Sequence, residues 1–311
     1  SLAGPVIGGL LTQTISWRAA FLVEIPPILL FMGLVWSVIP DGGQREEAAH
    51  AIPVLRVAGI GLGILLLSLA AIEPGLYPRL ASMAGAMVVL FLMVRRDLAA
   101  PNRLLPRGAF SLRSSVGLAF WVVLLLPTAH TGPGTYLILL IERLWGYDPL
   151  TASVLGAVMV AAWGGVGLLV SRLPPRWTRT GLWLGPCLLA AGLCLGWVGM
   201  IRQALWIVLL GQAMVGTGNG FCWGVLSQVI MTGSEAADRD RASAMLPSVL
   251  SAGLAIGAAL AGIAANAAGL AADVPRQTLV HAGMACFTVA AVIGLAAAAA
   301  SLRLVAVSRS P

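Results

Sequence analysis

Few side chains in this 311-residue sequence could do chemistry, and the informative ones fall in three places. The first is Pro127 to Tyr136, a run of Pro, Thr, Ala, His, Thr, Gly, Pro, Gly, Thr and Tyr centred on His130. Thr131 and Thr135 stand four residues apart, on one face of a helix and close to His130. Two prolines and two glycines predict a broken or kinked helix there, with freed carbonyls tolerable only beside protein or a wet cavity. His130, with Thr131, Thr135 and Tyr136, is either a hydrogen-bonded structural group or a contact for substrate or proton. The second place holds Gln212, Gly216, Asn219 and Trp223, whose spacing of 4, 3 and 4 puts them on one helical face. Such a stripe either lines a cavity with amides and an aromatic wall or packs polar groups between helices. The third is Glu24, an acid set within an apolar stretch, where desolvation favours the protonated form and makes it the best acidic candidate for a proton site.

Other chemistries lack their residues. The three histidines, His50, His130 and His281, are isolated, no GxxxxGK[ST] is present, and no HExxH or clustered Ser and His occurs. Cys187, Cys194, Cys222 and Cys286 all lie in apolar runs without metal-ligand spacing, and read as small packing residues. No catalytic residue, metal or cofactor is expected, and the chain does not read as an enzyme. Glu73 and Glu142 sit near span ends, Glu142 beside Arg143. The run Glu235, Asp238, Arg239, Asp240 and Arg241 reads as a solvated turn, with a closing ion-pair latch between bundles as the alternative.

The elements that position these residues follow from composition. Hydrophobic residues make up 59% before 37 glycines are added, charged residues only 10%, and the mean hydropathy is +0.93. So few charges cannot cover that much apolar surface in water, so the chain is a polytopic, all-α membrane protein. Apolar stretches fit for spanning read as 17–39, 54–73, 78–94, 113–141, 151–171, 181–201, 204–231, 243–269 and 279–302. Residues 1–16 look like the end of a further helix, and the opening Ser1 inside an apolar run suggests a piece of a longer protein. All 19 basic residues are arginine. Fourteen of them, among them Arg45, Arg103, Arg107, Arg176, Arg239 and Arg309, fall on one set of alternate loops. The positive-inside rule makes that side cytoplasmic. Scattered between spans, these arginines do not form a nucleic-acid patch despite a pI near 10.2.

Near the start, Gly4, Pro5, Gly8 and Gly9 form GPxxGG, followed after seven residues by Trp17, Arg18, Phe21 and Pro26. This pattern resembles the antiporter motif of the fourteen-helix drug:proton antiporter branch of the major facilitator superfamily. Trp145, Gly146, Tyr147, Asp148 and Pro149 are similar to that branch's GYxP element. Ser171 to Gly181 resembles a degenerate copy of its cytoplasmic motif, with Pro175 where an Asp is usual, and Glu24 stands where Asn is common.

The resemblance implies a major-facilitator-like fold in a partial chain: about nine full transmembrane helices plus one half-helix. Residues 1–39 would end the N-terminal bundle, 40–112 would hold two linker helices, and 113–311 would form the C-terminal six-helix bundle. In that fold the spans at 113–141 and 204–231, which carry the polar groups, line the cavity. Gly4, Gly8 or Gly9 is expected to lie against residues 154–168, a glycine-rich part of the second span of the C-terminal bundle. His130, Gln212 and Asn219 are expected to converge on one cavity. The implied function is proton-coupled efflux of amphipathic organic compounds across the inner (plasma) membrane by alternating access, with small-molecule substrate, protons and the bilayer as partners. The alternatives are a non-transporting sensor or scaffold and, further off, a membrane-embedded enzyme.

Overall fold

The structure, a computed structural model, describes residues 3–38, 53–73, 75–100, 103–172, 174, 177–271 and 274–308. Arg45, His50, Pro175, Arg176 and Arg309, singled out above, lie outside the described residues. Among those described, every regular element is helical. They are α1 (Ala3–Thr14), α2 (Trp17–Leu22), α3 (Ile25–Val38), α4 (Val54–Ile72), α5 (Leu76–Ala99), α6 (Ser115–Trp145), α7 (Pro149–Gly156), α8 (Val158–Val170), α9 (Thr178–Arg202), α10 (Leu205–Gly233), α11 (Arg239–Ala267) and α12 (Arg276–Val307), with one short 3-10 turn at Ala236–Asp238.

Nine segments among the described residues are long and apolar enough to span a bilayer, counting α2 with α3 and α7 with α8 as one each. They coincide with the nine stretches read from hydropathy, and most run a few residues further. The extensions carry exposed side chains such as Arg95, Arg96 and Arg143.

Local chemistry sets several helix ends. Ser114 caps α6 by accepting from the Gly117 amide at 3.1 Å, and Gly146 ends α6 at φ +72°, the left-handed conformation that glycine adopts without strain. Asp148 caps α7 by accepting from the Thr151 hydroxyl and from the Leu150 and Thr151 amides. The Thr151 side chain, then its amide, holds the Asp148 carboxyl below the ordinary range. With its folded pKa depressed, this cap contributes above the unfolded-state pKa and is lost as pH falls through the folded value.

Helices α7 and α9 to α12 pack around α6, whose buried residues include Leu118, Phe120, Leu126 and Ile141, and α8 packs on α10. The stretch around His130 is not broken: α6 runs helical through Pro127 and Pro133. Glycines of α11 explain this correction. A Cβ at Gly257 would lie 2.6 Å from the Thr128 carbonyl oxygen, so α11 presses directly on the proline-bearing backbone, and a neighbouring helix that close holds the segment in helical form.

On the other flank α9 and α10 meet backbone to backbone. A Cβ at Gly192 would be 2.5 Å from the Gly211 carbonyl oxygen, and one at Gly185 would be 2.6 Å from that of Gly218. Helices α4 and α5 form a hairpin docked on α11, where the Asn266 amide donates to the Ala71 carbonyl. Helix α1 packs on α7. Within its glycine motif only Gly9 is in close contact, 2.8 Å from the Ser153 hydroxyl as measured to an added Cβ, whereas Gly4 and Gly8 face open space. The partner is thus the first turns of that span, at Leu150 and Ser153, rather than 154–168. Gly164, Gly165 and Gly167 face open space too. Helices α2 and α3 bury nothing against the described residues.

Two buried carboxylates organise the arginine-rich end. Asp97, 1% exposed, pairs with Arg56 at 2.6 Å and accepts from the amides of Leu104 and Leu105. Asp238, 6% exposed, accepts from the Arg107 amide at 2.9 Å and pairs with Arg241 at 2.6 Å. The turn at 235–241 is therefore partly buried and grips the 103–112 loop, and it makes no ion pair with α1 to α3 among the described residues. The exposed Arg107–Glu235 pair at 3.4 Å adds about 0 to 1 kcal/mol. At the opposite end Gln203, at φ +50°, accepts through its carbonyl from Trp145 and through its side-chain oxygen from Arg276.

This alternation of ends is checked by labelling single cysteines. Arg103→Cys and Val274→Cys are expected to react with an impermeant maleimide from opposite sides of the membrane. Labelling of both from one side would overturn the topology.

Candidate functional site

The candidate site is assembled by three helices, α6, α8 and α10. His130 on α6 is buried, 6% exposed, and its ring stands edge-on to Trp163 on α8 with centroids 6.1 Å apart. Trp163 in turn meets Trp223 on α10 at 6.4 Å and 70°. This aromatic chain crosses the bundle. It is possible because α8 approaches α10 over glycine: an added Cβ at Gly220 would lie 2.8 Å from the Trp163 carbonyl oxygen, and Gly216 faces the Met159 carbonyl. The two tryptophans open onto a cavity of about 450 Å³ between α8, α10 and the start of α9, lined also by Gly167, Ser171, Trp177, Gly220, Gly224 and Gln228.

The polar stripe of α10 is divided by this packing. Gln212 (1% exposed) and Asn219 (2%) are sealed inside. Asn219 donates to the Val215 carbonyl of its own helix at 3.3 Å, and the Gln212 side-chain oxygen has no hydrogen-bond partner among the described residues. Only Trp223 reaches the cavity. His130, Gln212 and Asn219 therefore do not share its walls; between the amides, Gly216 lets α8 approach at Met159 and Gly218 lets α9 approach at Gly185.

The neighbours of His130 are turned to their own backbone. Thr131 donates to the Pro127 carbonyl at 2.7 Å and Thr135 to the Thr131 carbonyl at 2.9 Å. Tyr136 packs beside Ala261, Ala265 and Cys286, toward α11 and α12, away from the cavity. Glu24 sits in the turn between α2 and α3 and is exposed. Pro5 lies in α1.

Trp163 and Asp97 were missed in the sequence, and each carried a signal. Tryptophan in membrane proteins concentrates at the interfaces, so a mid-span Trp163 flanked by Gly164 and Gly165 is out of place unless it packs on something specific. An acid near the C-terminal end of α5 opposes the helix dipole, so Asp97 needs donors. It has Arg56 and two loop amides. Among the described residues no group of His, Cys, Asp and Glu is placed to hold a metal ion.

Comparison with known proteins agrees with this architecture. The chain is 27% identical over 286 residues to the tetracenomycin C resistance and export protein of Streptomyces glaucescens, covering 84% of this chain and 49% of that protein. It is 27% identical over 194 residues to the methyl viologen resistance protein SmvA of Salmonella typhimurium, covering 57% and 37%. To a probable actinorhodin transporter of Streptomyces coelicolor it is 24% identical over 288 residues, covering 84% and 48%. The chain thus spans about half the length of these relatives or less. The family model described as Major Facilitator Superfamily matches residues 1–246, most of the chain. With its multi-pass helical architecture, the chain belongs to the Major Facilitator Superfamily of membrane transporters.

Proposed function

We propose that this chain is the C-terminal part of a proton-coupled exporter of amphipathic organic compounds, of the fourteen-helix branch, in the plasma membrane. Residues 1–39 end its N-terminal bundle, 40–112 carry the linker pair, and 113–311 form the C-terminal bundle. The observation that carries the reading is the aromatic chain from His130 through Trp163 to Trp223, which ends at a cavity within a transporter-family fold. Amphipathic organic compounds suit such walls, since aromatic rings supply large apolar surface and edge-to-face contacts. The relatives' names, which speak of resistance and export, support the outward direction. Rocking of two bundles about a midplane site would carry the compound across, driven by proton entry. His130, the buried ionisable group on α6, is the proton or substrate contact, with Gln212 and Asn219 exposed to the path when α8 and α10 part.

The test is flux in inside-out vesicles carrying the whole transporter, with ethidium and anthraquinone-2-sulfonate as substrates and an acid-interior gradient. Uptake is expected with the gradient and not after its collapse. His130→Ala should slow uptake about tenfold, equivalent to about 1.4 kcal/mol in the barrier, while Cys194→Ala stays near wild type. A proton role shows as a changed pH profile, a substrate role as altered affinity at every pH. Gradient-independent uptake would remove proton coupling from the proposal, and wild-type flux from both variants would leave His130 structural.

A further inference from the structure

The cavity beside Trp163 and Trp223 has a chemical character of its own. Its walls include three tryptophans, Trp163, Trp177 and Trp223, and stretches of bare helix backbone at Gly167, Gly220 and Gly224, beside Val170, Pro174 and Val225. Walls of indole rings and side-chain-free backbone are flat, and they favour a flat ligand whose faces stack or meet ring edges. Hydrogen bonding comes from Gln228, since the Ser171 hydroxyl already donates to the Leu168 carbonyl at 2.8 Å. Among the described residues that line it, none is acidic. The charges that flank the lining segments are basic instead: Arg172 follows Ser171, and Arg179 lies two residues past Trp177, both exposed and neither in an ion pair with a described residue. The acids nearest along α10, Glu235 and Asp238, are matched by Arg107 and Arg241. The site lies at the arginine-rich end, where the positive-inside rule places the cytoplasm.

We propose that this cavity is a cytoplasmic capture site for planar aromatic compounds carrying an anionic group, such as a sulfonate, carboxylate or ionised phenol. The ring system would lie among the tryptophans and over the glycines, and the anionic edge would face Arg172 and Arg179, with the Gln228 amide as donor. Tryptophan faces also attract cations, so flatness alone does not choose the sign of the charge. The arginines, with no acid in the lining, choose it. The assignment deepens the exporter reading by naming the substrate class at its inner end. Binding is measured at equilibrium without a gradient, so it can fail while flux persists, or hold in a protein that moves nothing.

The experiment compares two flat probes of opposite charge, anthraquinone-2-sulfonate and methyl viologen, by equilibrium dialysis against the whole transporter in nanodiscs. The sulfonate is expected to bind at least about tenfold more tightly, a preference worth about 1.4 kcal/mol, and to weaken with added salt because exposed charges are screened. Arg172→Gln with Arg179→Gln should remove most of that preference and its salt dependence. Gly224→Leu and, separately, Gly167→Leu fill the cavity from two walls. An added Cβ meets open space at both positions, so the fold has room for either substitution. Each should weaken sulfonate binding at least about tenfold. Equal or tighter binding of methyl viologen, sulfonate binding untouched by both leucines, or no sulfonate binding to the wild-type transporter would each overturn the proposal.

Discussion

Asp97→Ala is expected to lower stability by about 3 to 5 kcal/mol, the range for removing one member of a buried ion pair. The carboxylate is 1% exposed, bonds Arg56 at 2.6 Å, and holds the Leu104 and Leu105 amides at 2.9 Å. Its loss strands those donors beside a buried Leu105 and releases the loop from α5, so two elements loosen together. Asp97→Asn keeps an accepting oxygen for the amides and loses only the charge, so its effect should be about half as large. Unfolding in mixed micelles measures the first quantity. Limited proteolysis between 103 and 112 reads the second, since Asp238 still holds the far side of the loop at Arg107. Alanine and asparagine variants both matching wild type would show that the loop is held by other contacts.

Gly192→Leu should part α9 from α10. The nearest atom to an added Cβ is the Gly211 carbonyl oxygen at 2.5 Å, followed by the Met214 side chain and the Val215 amide nitrogen, both at 2.9 Å. Backbone cannot swing aside as a side chain can, so the penalty is expected at or above the upper part of the usual overpacking range of about 1 to 3 kcal/mol. Gly61→Leu on α4, where an added Cβ meets nothing, is the matched control and should leave the thermal midpoint in detergent nearly unchanged. Equal midpoints for the two variants would mean that α9 and α10 do not touch through their glycines.

The helices were legible because hydropathy is local. A run such as Ile25–Val38 declares a span from its own residues, whatever lies beside it, since each residue's transfer into lipid is nearly independent of its neighbours. The arginine pattern ordered the ends in the same additive way, and GPxxGG with Trp17 and Arg18 pointed to the family. His130 and Trp223 were also legible, as polar or aromatic residues out of place in an apolar span. What they would face was not. Pro127 and Pro133 predicted a broken or kinked helix, and the break is absent where α11 presses on α6 through Gly253 and Gly257, residues 120 or more positions away in sequence.

By itself, then, the sequence determined an all-helical membrane protein, the positions of its spans and its family, because each follows from sums over short windows or from a contiguous motif. The tertiary structure alone decided which side chains meet. It buried Gln212 and Asn219 within the bundle, joined His130 to Trp223 through Trp163, and made Asp97 and Asp238 the anchors of one loop. The physical reason lies in the glycines. A missing Cβ is nearly silent in hydropathy, yet it sets how closely two helices approach, and that distance decides whether a polar stripe lines a cavity or is buried against a neighbour's backbone.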